Sequence, residues 1–219
     1  MKIVLIAFLF LTPYTVFHKT FLYDYTEGDV NSFIRWDIHQ ISENQIHVQS
    51  NSLQLILGHT VVTDTLCDTR SWSYINEEED TRFRAVRSGD WIRFQGIKDG
   101  EELKKQIAVA PIPWLQFLGF SLSRFAASGE TWMKFLCIYP KSLKPYTMLA
   151  KRKGVEEITV AGHTIRAVRI RVSLTGILSH LGGVNFWFRE SDYVFVRFEG
   201  TSLPWTSRII YQLNDRPMP

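Results

Sequence analysis

Between Phe21 and Val109 the chain alternates short β-type runs with polar turns, and the turns are too brief for anything but antiparallel pairing. The runs Phe21–Tyr25, Phe33–Ile38, Ile46–Ser50, Gln54–Leu66, Arg70–Ile75, Thr81–Arg87, Trp91–Ile97 and Glu102–Val109 are rich in aromatic and β-branched residues. Separators such as Asn76–Asp80, Ser88–Asp90 and Lys98–Gly100 carry the Gly, Asp and Asn that tight turns need. A parallel crossover takes a dozen residues or more, so neighbours joined this way run antiparallel. The second half repeats the style at Thr131–Tyr139, Tyr146–Arg152, Glu157–Val160, Thr164–Leu174, Val184–Arg189, Tyr193–Phe198 and Arg208–Leu213. Within Arg166–Leu174 the alternation is strict. Val168, Ile170, Val172 and Leu174 fall on one side and Arg169, Arg171 and Ser173 on the other, which predicts a strand with one buried and one wet face.

One segment breaks the period of two. From Pro113 to Gly129, at about 100° per residue, Trp114, Leu115, Leu118, Leu122, Phe125 and Ala126 share one arc. Pro113 suits a first helical turn and Gly129 the position just past a helix end, so an amphipathic helix is expected over 113–127. The fold expected is mainly β: a large curved antiparallel sheet, a half-barrel or open barrel, with one inserted amphipathic helix packed on its concave face. No linker, low-complexity run or long repeat divides the 219 residues, so 19–219 reads as a single domain. A chain of this size buries roughly 70% of its extended surface and closes a core without metals or multiple disulfides.

Residues 1–18 read as a signal-type leader or anchor. Lys2 precedes an uncharged run from Ile3 to Leu11 that ends at Thr12-Pro13, giving the n-region and h-region of a secretory signal. The run is short for a membrane span, and no small-x-small cleavage site follows it. Export to the periplasm or cell envelope is therefore expected, with residues 3–17 as an anchor if the leader stays on. The competing reading makes 3–11 a buried first strand of a cytoplasmic domain. Cys67 and Cys137 permit one disulfide in an oxidising compartment, and equally suit two small buried apolar groups.

Charge excludes little except nucleic acid. A net +3 over 25 basic and 22 acidic residues contains no Lys/Arg stripe. No nucleophile elbow, phosphate loop, dinucleotide fingerprint or metalloprotease motif is present, so no catalytic residue, metal ligand or cofactor is assigned. The six histidines are scattered without ligand spacing and read as surface groups, although His39 and His47 stand eight apart across a turn and could face one another.

The aromatic residues are the more telling set, with 7 Trp and 15 Phe. Trp72, Trp114, Phe117, Leu118, Phe120 and Trp187 are the candidate lining of an apolar ligand site under the helix. Arg84, Arg87 and Arg189 are candidate head-group contacts, because a guanidinium suits phosphate or carboxylate. The competing reading is a dry core, with strand arginines on the wet face paired to Asp80, Glu190, Asp192 or Glu199.

Several phrases resemble a group of uncharacterised bacterial envelope proteins. They are Thr81–Asp90, Pro113-Trp114-Leu115-Gln116, Glu156–Gly162 leading to Val168-Arg169-Ile170, and Phe186-Trp187-Phe188-Arg189 followed by Asp192 and Val196–Glu199. The resemblance spans roughly residues 45 to 213. More remotely, the layout is similar to the half-barrel of bacterial lipoprotein carriers, an antiparallel sheet wrapped around helices. That resemblance implies an acyl-binding interior and brings no catalytic residues. The function expected is non-enzymatic binding of a lipid-like or other hydrophobic ligand. The alternative is a structural or interaction module with a solid core and an envelope protein as partner.

Overall fold

A computed structural model describes residues 17–52, 57–176, 182–201 and 208–214. Residues 1–16, and with them the competing first-strand reading, lie outside the described residues, while His18, the last residue of the expected leader, opens the first strand described. Eight strands come first: β1 His18–Glu27, β2 Val30–Ser42, β3 Gln45–Ser52, β4 Leu57–Thr63, β5 Thr69–Asn76, β6 Thr81–Ser88, β7 Trp91–Lys98 and β8 Glu101–Ala108. Two short helices, α1 Leu118–Ser121 and α2 Ser123–Ser128, precede β9 Trp132–Tyr139 and β10 Lys144–Val160. The chain continues with β11 His163–Leu174, β12 Val184–Arg189, β13 Phe195–Thr201 and β14 Arg208–Asn214.

All of them form one 14-stranded sheet in the order β8, β7, β6, β5, β4, β3, β2, β1, β14, β13, β12, β11, β10, β9. Every pair that the register describes is antiparallel, as the short turns require. The two walks meet where β1 pairs β14, and the sheet is not closed into a barrel. The connection from β8 to β9 is the exception to hairpin order. It joins the two edge strands, and it carries the helices.

Alternation sets the faces. Tyr23, Trp36, Ile38, Val48, Val61, Phe83, Ile92 and Phe94 are buried on the concave side, as are Val168, Ile170 and Val172 in the strictly alternating run. The core has two clusters. One joins Val61, Trp72, Tyr74, Phe83, Phe94 and Trp114, and the other gathers Tyr23, Trp36, Phe135, Phe186 and Phe195 around Leu122 and Phe125 of the helices.

The helix begins later than its periodicity predicts. Pro113–Gln116 is extended, because its backbone has partners elsewhere: Leu136 N–H donates to Pro113 O at 2.7 Å and Leu115 N–H to Leu136 O at 2.9 Å. On the other side Thr69 N–H donates to Trp114 O, and Trp114 N–H to Asp68 Oδ1. The segment thus fills the gap between β9 and the start of β5, and Trp114 and Leu115 belong to that seam and not to a helical face. The expected end is right: Gly129 caps α2 at φ 78°, a left-handed conformation that glycine adopts without strain. Leu122, a turn residue between the two helices, is fully buried.

Candidate functional site

Gly119 determines how closely α1 approaches the sheet. A Cβ there would collide with Cη2 of Trp36 and stand 3.2 Å from Cδ1 of Phe195. Trp36 and Phe195 are stacked, with centroids 5.1 Å apart and planes 12° from parallel. Tyr23 fixes the pair from below: its ring lies 4.3 Å from Trp36, and its hydroxyl donates to Phe195 O at 3.1 Å. α1 therefore rests on a two-ring pillar, and the concave interior is hollow on either side of it.

The first cavity, about 310 Å³, is lined by Phe21, Tyr23, Ile38, Ile46, Phe120 and Ala127, with Thr65, Cys67 and Ser123 among its smaller groups. Lys19, Arg124 and Asp192 stand at its edge. Arg189 holds Asp192 through two parallel bonds of 3.0 and 2.9 Å, whereas Lys19 and Arg124, both exposed, have no acidic partner among the described residues. The second cavity, about 250 Å³, is lined by Ile34, His59, Phe117, Leu118, Phe186, Phe198 and Tyr211. Trp36, Gly119 and Phe195 border both.

His59 corrects the reading of the histidines as surface groups. It sits on the concave side of β4, opposite Ser50, with its ring 5.0 Å from Tyr74 and 6.2 Å from Trp72. Burial pushes its pKa down to about 4, so it is neutral at pH 7. Nδ1 accepts from Trp72 Nε1 at 3.3 Å, which leaves the ring proton on Nε2. His39 and His47 do face one another across β2 and β3, and His18 stacks on His39 at 3.9 Å, on the opposite face of the sheet. His180 lies outside the described residues. Among the described residues no group of three His, Cys, Asp or Glu is placed to hold a metal.

The structure divides the sequence-predicted lining. Phe117 and Leu118 line the second cavity and Phe120 the first. Trp72 and Trp114 are fully buried in solid packing: Trp72 meets Phe83 edge-on, and Trp114 Nε1 donates to Gln116 Oε1 at 2.9 Å. Trp187 points away from the cavities. It lies on the face opposite Phe186, where Glu156 accepts its indole proton at 2.7 Å and Arg197 covers its ring. The three head-group candidates do not gather at one mouth. Arg84 is exposed on β6, Arg87 donates to Ile112 O, Ala110 O and Gly89 O, and Arg189 holds Asp192. The strand arginines follow the wet-face reading: Arg82 pairs with Asp80, Arg166 with Glu190 and Arg197 with Glu199.

Cys67 and Cys137 form no bridge. Cys67 sits in the β4–β5 turn at the first cavity and Cys137 on β9, and burial raises their pKa values to about 11 and about 12. The residues that sequence reasoning missed are Trp36, His59, Gly119, Phe186 and Phe195. Trp36 had a signal, since Ile34, Trp36 and Ile38 alternate with Arg35 and Asp37.

Gln116 ties the segment before α1 to the edge of the sheet. Its side-chain amide behaves as a strand would toward edge strand β9, with Oε1 accepting from Ile138 N–H at 3.1 Å and Nε2 donating to Ile138 O at 2.8 Å.

The sequence matches no family model and no curated protein. Among solved structures, the chain is similar to a β-barrel-like protein of a domain of unknown function from Brucella abortus. That match has a TM-score of 0.59 and 8% identity over 90% of this chain and 95% of the other. A hypothetical lipoprotein, YmcC, from Escherichia coli matches at TM-score 0.43 and 11% identity, over 91% of this chain and 85% of that one. A LolA superfamily protein from Nitrosomonas europaea matches at 0.28 and 9%, over 94% and 89%. The last two superpositions are too loose to establish a shared fold. What the first of the three shows is the fold alone, that of a β-barrel-like protein of a domain of unknown function.

Proposed function

We propose that the protein binds an acyl-chain ligand with an anionic head in the hollow under α1, and that it does no chemistry on it. The observation that carries this reading is the pair of apolar cavities either side of the Trp36–Phe195 pillar. Roughly 150 Å³ of apolar cavity accommodates a benzene ring. By that measure cavities of about 310 and 250 Å³ each suit on the order of ten carbons. Ligand sites of this kind are mostly apolar with a few polar groups at the mouth. Lys19 and Arg124 at the edge of the first cavity are cations with no acidic partner among the described residues, which suits a carboxylate or phosphate. They replace Arg84, Arg87 and Arg189 in that role. The leader of residues 1–18 supports an exported protein of the periplasm or cell envelope, and a fusion of residues 1–30 to a reporter active only outside the cytoplasm is expected to give signal.

The second reading, a solid-core interaction module, is favoured by the packing of Trp72 and Trp114, both fully buried in one aromatic cluster. Native mass spectrometry of protein purified from cells, with uptake of a fluorescent fatty acid, separates the two. Ala127→Trp fills the first cavity from its exposed edge. The expected result is a co-purifying lipid mass and uptake that falls at least tenfold in Ala127→Trp while the denaturation midpoint holds. A wild type that carries no lipid and takes none up overturns the proposal in favour of the module.

A further inference from the structure

The sheet has two ends, and they are treated differently. At β9 the edge is occupied at Leu136 and Ile138 by Pro113–Gln116 and the Gln116 amide. At β8 no described residue pairs with the outer side. Val109 N–H donates to Asp90 O at 2.8 Å, so odd-numbered residues of β8 bond toward β7, and alternation turns the N–H and C=O of Glu102, Lys104 and Gln106 outward. Such an edge is a template for another strand.

The side chains along it read Glu101, Glu102, Leu103, Lys104, Lys105, a pattern that reverses its charge about Leu103. We propose that β8 pairs antiparallel with β8 of a second copy about a two-fold axis at Leu103. In that register Glu101 lies opposite Lys105, Glu102 opposite Lys104 and Leu103 opposite itself, and the axis repeats both ion pairs. Outward-facing backbone groups then meet outward-facing ones, because Glu102 and Lys104 are both even. Sliding by two residues keeps the backbone bonds but sets Glu102 against Glu102, or Lys104 against Lys104, and like charges directly opposite are destabilising. The same charges that deter open-ended strand addition therefore select one register. Glu102 and Lys104 are each 72% exposed and already paired along the strand, so the interface gathers existing charges without burying new ones. Because β9 is occupied, the contact is isologous and closes at two copies, where a β8-to-β9 contact would propagate. This inference is independent of the ligand reading.

The test is sedimentation of the full chain across a concentration series. A reversible monomer–dimer equilibrium is expected for the wild type, weakened at high salt. Lys104→Glu with Lys105→Glu is expected to sediment as monomer at every concentration. Adding Glu101→Lys and Glu102→Lys to that pair reverses every charge, restores the dimer and, in a mixture with wild type, gives no mixed species. Leu103→Cys should cross-link to itself under mild oxidation, since Cys67 and Cys137 are shielded by burial. A wild type that stays monomeric and a Leu103→Cys variant that does not cross-link would together refute the proposal. So would a dimer that survives Lys104→Glu with Lys105→Glu.

Discussion

Acid should loosen this fold at His59 before it reaches the carboxylates. In the folded chain the ring is buried among Trp72, Tyr74 and Phe117, and its pKa falls from 6.5 to about 4. The unfolded chain takes up the proton first as pH falls, so stability is lost progressively between pH 6.5 and 4 and is unaffected above that window. Integrating the two titrations from pH 7 to pH 5 gives a loss of about 2 kcal/mol, against a total stability of roughly 5–15 kcal/mol. Burial and the neighbouring His39 lower the pKa of His47 too, with the same sign, so the wild type alone does not isolate the effect. Asp37, Asp99, Glu190 and Glu199 have lowered pKa values, and their contributions are lost only below the ordinary carboxylate range. The assay is urea denaturation at pH 7 and pH 5 for wild type and His59→Gln, whose amide oxygen can still accept from Trp72 Nε1. The variant should lose about 2 kcal/mol less than wild type over the interval. Equal losses would show that His59 is hydrated or protonated in the folded state, and the reasoning from its burial would fall with it.

Two further outcomes follow from the buried groups at the seam and in the core. Gln116→Leu strands the N–H and C=O of Ile138 and the indole proton of Trp114, and is expected to cost on the order of 3 kcal/mol in urea denaturation; a change under 1 kcal/mol would mean that water replaces the amide. Cys67 and Cys137, with pKa values raised to about 11 and about 12, should alkylate at pH 8 only in denaturant, and reductant should leave the thermal midpoint unchanged.

The strands were legible because each local signal points the same way. Asp99-Gly100 adopts positive φ at both residues, as a two-residue hairpin turn demands, and Lys98 pairs Glu101 across it. Val168, Ile170 and Val172 are buried because a period of two leaves them no other face. The helix start was not legible. A 3.6-residue pattern runs back to Pro113, but the backbone of Pro113–Gln116 is claimed by Leu136 and Thr69, and no local periodicity encodes a partner about 20 or 45 residues away. Trp187 fails as a lining residue for a related reason. Its strand neighbours Phe186 and Phe188 look equally apolar in sequence, and only the alternation counted from the register shows that Trp187 faces the other side, under Glu156 and Arg197. His59 carries no signal at all, since a histidine between Gly58 and Thr60 reads as polar until β3 places it over Ser50.

Large aromatic residues explain both the solid and the hollow halves of this interior. Around Trp72 the rings of Tyr74, Phe83 and Phe94 come from adjacent strands of one sheet, where cross-strand neighbours are spaced for contact, and they fill the space between them. Beneath α1 the ring of Trp36 instead stands between two layers. Gly119 lets the helix descend until it touches that ring, and the ring then sets the separation of helix and sheet for everything beside it. Next to the pillar short side chains break the ring of aromatics: Ile38, Ile46 and Ala127 among Phe21, Tyr23 and Phe120 on one side, Ser50 and Ser52 among Phe117, Phe198 and Tyr211 on the other. None of the short side chains spans a gap set by an indole, so the space stays open. The cavities lie where short residues stand beside the tall pillar in a lining of aromatics, which is why an inventory of tryptophans pointed to an apolar interior but not to where it is empty.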